Sequence, residues 1–302
     1  MTPFLDVAYN VLGPIFLIIG LAVLIDRRFA PDPRVFSRVV VYLFSPCLIF
    51  TGIARSDLQA EEMGLLLAVA ALTTLLMALV GWGLTRLFRF ERKLTSAFML
   101  SVVLINAGNY GLPLNEFAFG QAGLDRAIVF FVMTAVMANS LGVYLASRGT
   151  ASVRRSLLNV VTVPLPYATV LGFLVNVNNV ALPVAVDRAV TLLGQAAVPC
   201  MLVILGLQLS RTSVQGQTGP ILLATGTRLV VAPFIAIALT GLLGVSGLAR
   251  QVAVIQASMP TAVTAGVLAT EFDSDAQFTT AVILVSTLAS IVSLSVLLTV
   301  LG

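Results

Sequence analysis

Apolar residues run through this chain in segments about as long as a bilayer is thick, and the charged residues gather in or beside the short connectors between them. A helix needs roughly 20 apolar residues to cross the hydrocarbon, and only helices or closed barrels satisfy every backbone group there. Counted on that length, ten spans are expected, at 7–25, 35–54, 61–87, 94–122, 125–147, 159–179, 185–208, 219–243, 249–270 and 275–300. The apolar share is 59% and the charged share 10%, against about a quarter charged in a soluble domain. A water-soluble globule could not bury that surface, so the expected fold class is an all-α polytopic membrane protein.

Charge in the connectors orients the spans. With the N-terminus outside, Arg27, Arg28, Arg34, Arg38, Arg86, Arg89, Arg92, Lys93, Arg148, Arg154, Arg155 and Arg211 fall on the cytoplasmic side, and only Arg55, Arg126, Arg188 and Arg250 fall outside. That is a positive-inside bias, and it places both termini outside the cell's inner membrane. It also accounts for the net charge of +4 without nucleic acid. The acidic connector with Glu271, Asp273 and Asp275 runs against the bias only weakly, because acids contribute little to orientation. The first apolar run lacks a basic leader and a cleavage site, so it reads as a retained helix. Cys47 and Cys200 each follow a proline inside an apolar segment and read as small buried hydrophobes. The sequence has no histidine, which leaves zinc and histidine acid/base chemistry without residues. No paired Asp-Asp or Ser-Lys set stands at membrane depth, so an enzyme is not expected.

The two halves repeat. Ser45-Pro46-Cys47 resembles Val198-Pro199-Cys200, and Asn106-Ala107 followed by Pro113 resembles Gln256-Ala257 followed by Pro260, each pair at the same rank in a five-helix series. Five is odd, so the second repeat enters the membrane from the opposite side. Inverted repeats are the architecture of a secondary transporter. The expected units are 1–150 and 151–302.

Two stretches interrupt this apolar order: Asn106-Ala-Gly-Asn-Tyr-Gly-Leu-Pro-Leu-Asn-Glu116, and Gln256-Ala-Ser-Met-Pro-Thr-Ala-Val-Thr-Ala-Gly266. Irregular backbone at membrane depth survives only where it packs in protein or lines a cavity. Each proline removes a helical hydrogen bond and clashes one turn back, so both helices should open at one depth and cross. Half-helix N-termini at such a crossing suit an anion, and freed carbonyls suit a cation.

These motifs, Asn106-x-x-x-x-Gly111-Leu112-Pro113-Leu114 and Met259-Pro260-Thr261-Ala262 with Glu271-Phe272 beyond, resemble the two crossover motifs of the auxin efflux carrier family. That family includes the plant PIN-FORMED transporters and bacterial carriers of malonate and malate. The resemblance covers the whole chain, including Ile204-Leu205-Gly206 in the seventh span. It implies the fold of the bile acid sodium symporters: a scaffold from spans 1, 2, 6 and 7, and a core from spans 3–5 and 8–10 that moves like an elevator. It implies that Asn106 and the backbone around Pro113 and Pro260 bind substrate. This chain departs from the plant carriers at Ala107-Gly108-Asn109 and Asn115-Glu116, so a small mono- or dicarboxylate is expected before an auxin-like aromatic acid. A non-transporting ligand sensor is the reading from another class.

The expected substrate-binding set is Asn106, Asn109, Gly111, Pro113, Gln256, Pro260, Thr261 and Arg228. Asn106 and Asn109 can cap the opened helix ends and still turn a donor to ligand. Ser258 ranks lower, since hydroxyls bond back to their own helix. Arg228 is a cation about nine residues into its span and must face the interior. It forks a carboxylate, is buried against Glu116 or helix-break carbonyls, or snorkels to the cytoplasmic face. Glu116, Asn115 and Thr264 are the candidate positions for a coupling Na+ or H+, with Glu116 alternatively paired to Arg126 or facing an outer vestibule. Asp57, Glu61 and Glu62 read as a solvated outer surface, and Pro46 and Pro199 as scaffold kinks. The expected partners are the anion, the bilayer and a second copy in a homodimer.

Overall fold

The computed structural model describes residues 3–147, 163–212 and 217–301. Among the described residues the regular structure is helical, and seven helices are long and apolar enough to cross a membrane. In chain order the elements are α1 (Phe4–Phe29), α2 (Pro33–Ala54), α3 (Ala60–Leu87), α4 (Arg92–Val103), α5 (Ala107–Ala146), α6 (Leu165–Val177), α7 (Val184–Ser210), α8 (Thr218–Leu242), α9 (Gly247–Ala257), α10 (Val263–Glu271) and α11 (Ala276–Leu301). Of the expected basic connector, Arg148, Arg154 and Arg155 lie outside the described residues.

The sequence chemistry of the ends is visible. Asp32 accepts from the Arg34 backbone N–H at 2.9 Å with Pro33 in the first turn, which is how α2 starts. Leu17, Leu24, Leu79, Leu242 and Val300 stand exposed on the outer surface, where hydrocarbon is their natural solvent. Close helix pairs meet on small residues: a Cβ on Gly206 of α7 would lie 2.6 Å from Ala22 Cβ of α1, and one on Gly172 of α6 would lie 2.9 Å from the Phe50 carbonyl of α2. Backbones can approach that closely only where side chains are this small.

Three features interrupt the helices. α5 is 40 residues long, yet Gln256 Nε2 donates to both the Ala107 and Ala127 carbonyls at 3.4 Å. Twenty residues of straight helix would separate those carbonyls by about 30 Å, so α5 folds back on itself. The reversal is at Gly120, whose φ of 65° and ψ of −159° belong to glycine's own region. The expected fourth and ninth spans are also split, between α4 and α5 and between α9 and α10. The first opening lies at Leu104–Asn106 and not at Pro113, which sits in the first turn after a π-type turn, Ala107–Gly111.

Polar contacts tie the helix ends together: Arg55–Asp187 at 2.5 Å, Lys93–Asp273 at 2.8 Å, and Arg211–Asp26 at 2.7 Å. Arg126 meets Glu62 at 2.7 Å, so Glu62 is a partly buried ion-pair partner and not only a solvated surface acid, and Arg126 is taken by it and not by Glu116.

Candidate functional site

The two openings meet. Leu104–Asn106 and Pro260–Ala262 are not helical, and they pair antiparallel through Ile105 and Thr261. Asn106 N–H donates to the Pro260 carbonyl at 2.9 Å, and Ala262 N–H to the Leu104 carbonyl at 2.9 Å. Each break thereby satisfies the other's backbone, which is the condition for irregular chain at membrane depth. Thr261 strengthens the joint: its Oγ1 donates to the Ser101 carbonyl at 2.7 Å, and its N–H donates to Ser286 Oγ at 3.2 Å.

Helix polarity then gives the crossing two unlike faces. α5 starts after Asn106 and α10 after Ala262, and neither start is capped by its own N-cap side chain. Both first turns line a cavity of about 350 Å³, through Asn106, Gly108, Asn109, Ala262, Val263 and Thr264. Free N–H groups and two positive dipole ends therefore border one space. Asn106 is 5% exposed and its Nδ2 is buried with no partner, and the Oε1 of Gln208 on the same cavity is likewise unpartnered. Buried polar atoms without a partner cost energy and keep unused hydrogen-bonding capacity.

The opposite face holds the carbonyl ends of α4 and α9. Arg228, 1% exposed, sits on a π-type turn at Thr227–Val231 and donates from Nη1 to the Val102 carbonyl at 2.9 Å and from Nη2 to the Ala257 carbonyl. One guanidinium spans the two negative dipole ends. Of the alternatives open for Arg228, the helix-break carbonyls are its partners here, and it does not border the cavity.

The other expected residues separate by position. Gln256 and Asn115 are 0% exposed and stand behind the cavity as ties: Asn115 Nδ2 donates to the Gly111 carbonyl at 2.7 Å, and Gln256 holds both limbs of α5. Gly111 makes room for Gln256, since a Cβ there would lie 2.3 Å from Oε1. Pro113 is buried just past the π-type turn of α5, and Pro260 supplies the crossing carbonyl. Ser258 Oγ donates back to the Val254 carbonyl at 2.6 Å. Thr264 is exposed on the cavity. Glu116 borders a different pocket of about 400 Å³, with Arg55, Gln121, Asp125, Thr191 and Gln195; it is not brought to Asn106 or Arg228.

Sequence reasoning missed the far walls. Phe131, Thr134 and Asn139 come from the second limb of α5, Ser37, Val40 and Ser45 from α2, and Met201, Ile204 and Gln208 from α7. Asn139 and Gln208 had a signal, being uncharged amides inside apolar segments. The aliphatic walls had none.

Comparison with known proteins gives a consistent result. A family model described as "Membrane transport protein" matches residues 9–155 and 149–298. An uncharacterized transporter of Methanothermobacter thermautotrophicus is 32% identical over 267 residues, covering 87% of each chain. An uncharacterized transporter of Methanocaldococcus jannaschii is 27% identical over 270 residues, covering 85% of this chain and 86% of the relative.

Proposed function

The chain belongs to the membrane transport protein family, that of the auxin efflux carriers, and from this membership we propose that it moves a small organic anion across the cell's inner membrane by alternating access. The observation that carries the reading is the cavity bordered by two uncapped helix N-termini and the unpartnered Asn106 amide. A carboxylate fits that donor set, and the protein's own guanidinium neutralises the opposite carbonyl face.

Ten spans in two inverted repeats, with both termini on the outer side, are supported by the ties between helix ends. Arg55–Asp187, Lys93–Asp273, Arg126–Glu62 and Arg211–Asp26 each join connectors that ten alternating spans put on the same side. So does the bond from Gln251 to the Leu301 carbonyl. The scaffold of α1, α2, α6 and α7 is supported by the glycine-mediated contacts among them, and the cavity lies between that group and the crossing. An elevator movement of the crossing past this wall follows, driven by a Na+ or H+ gradient or by the anion's own.

Asn106→Ala tests the site. Its Nδ2 has no protein partner to lose, so the variant is expected to stay folded and monodisperse while uptake into liposomes falls at least tenfold, the order expected when a charge-assisted bond to substrate is removed. Undiminished uptake would overturn the assignment. A second reading, an amphipathic or aromatic carboxylate, is favoured by the apolar walls of Phe131, Val40, Ile105, Met201 and Ile204. Thermal shifts with malonate, malate and indole-3-acetate side by side distinguish the two, because ligand binding to the folded state raises the melting temperature.

A further inference from the structure

A second cavity, of about 790 Å³, opens at the end of α3 where it turns into α4. Its wall carries Arg86, Arg89 and Arg92, and no acidic residue is among the described residues that line it. None of these arginines forms an ion pair among the described residues, although Lys93 beside them is paired to Asp273. Glu91 stands in the same turn but outside the lining. The remaining surface is aromatic and apolar: Trp82, with Arg86 stacked 5.6 Å from its ring centroid, together with Phe90 and Tyr144. We propose that this cavity is a binding site for the headgroup of an anionic glycerophospholipid.

The arrangement follows the layers of a membrane surface. Leu87 and Phe88 at the end of α3 are exposed, and Trp82 lies five residues deeper, about 7 Å along the helix. An indole at that depth and guanidinium groups one step outward match the glycerol and phosphate levels of a leaflet. The nearby hydroxyls are already used: Ser96 donates to the Leu145 carbonyl at 3.0 Å and Thr95 to the Phe90 carbonyl at 3.1 Å. The guanidinium groups remain as the charged donors, and they fork a phosphate in two-point contacts. A zwitterionic head would bring its own ammonium into a wall of three cations, so charge complementarity selects an anionic one.

Arg89 is the sharpest indicator. It occupies the left-handed position after the helix end, φ 51°, inside a closing turn in which Phe90 N–H donates to the Thr85 carbonyl at 3.1 Å and Arg89 N–H to the Arg86 carbonyl at 3.3 Å. Glycine is the default residue at that place. An arginine there accepts a backbone cost and adds a third guanidinium to the wall that Arg86 and Arg92 line.

The test uses the purified full chain in detergent, titrated in three arms with phosphatidylglycerol, phosphatidylcholine and inorganic phosphate, and read by melting temperature and by retained lipid in native mass spectrometry. Phosphatidylglycerol is expected to raise the melting temperature and stay bound, and the other two are not. Each arginine removed should weaken that binding about fivefold. R89G is the informative variant, because glycine suits the turn and the fold is kept while binding falls; R86Q and R92Q complete the series. Equal retention of phosphatidylcholine, a shift reproduced by phosphate alone, or unchanged binding in the triple variant would each overturn the proposal.

Discussion

At residue scale, the tightest constraint is between Gly111 and Gln256. The Gln256 amide is pinned by two carbonyls on the limbs of α5 and is fully buried, and a methyl on Gly111 would stand 2.3 Å from its oxygen. Gly111→Ala is expected to destabilise the fold by about 1–3 kcal/mol through overpacking, read as a lower melting temperature. Truncating Gln256 removes the clash, so the double variant G111A/Q256A should cost clearly less than the sum of the singles; additive costs would refute the contact. The sequence named both residues but assigned them to ligand, because spacing reveals that two polar positions share a depth and not which way each amide turns. Arg228 teaches the same lesson. Its intramembrane charge was legible at once, whereas its partners, the Val102 and Ala257 carbonyls, are backbone atoms that every residue owns and no motif advertises.

At element scale, α5 is the instructive helix. Its second limb is apolar from Ala127 to Met137 apart from Thr134, and a polar, glycine-containing stretch, Gly120-Gln121-Ala122-Gly123-Leu124-Asp125-Arg126, precedes it; the expected boundary between spans at 122–125 fell within a turn of the reversal at Gly120. Gly120→Ala forces a side chain into φ 65°, ψ −159°, a region that is essentially glycine's alone. The cost should be about 1–3 kcal/mol, seen as a lowered melting temperature, with no clash contributing because nothing lies within 4 Å of the added Cβ. An unchanged melting temperature would mean that the chain reverses elsewhere. The opening of the crossing was placed less well. Proline marked it from sequence, yet Pro113 follows the opening by two turns, since the non-helical segment is held by pairing with Pro260–Ala262 and pairing between distant segments leaves no local signature.

At the scale of the whole molecule, the arrangement of connectors is open to direct measurement. In a variant with Cys47 and Cys200 replaced, a cysteine at Asp32 and one at Ser246 should react with an impermeant maleimide from opposite sides of oriented vesicles, Ser246→Cys from outside. Labelling of both from one side would remove the ten-span alternation. The membrane class was readable from segment length, because it is a statement about apolar runs along the chain. The cavity was half readable: its N-terminal donors come from motifs, but its far wall depends on how α2 and α7 pack across from the crossing.

The single guanidinium that closes the carbonyl ends of α4 and α9 has one more consequence. Both interrupted helices hang from the same tether, and the antiparallel joint at Ile105 and Thr261 fastens them a second time. The two loops are therefore fastened to each other at two points. Under the alternating access proposed above they would move as one frame, and the gates would come from the residues of α2, α6 and α7 that border the cavity across from it.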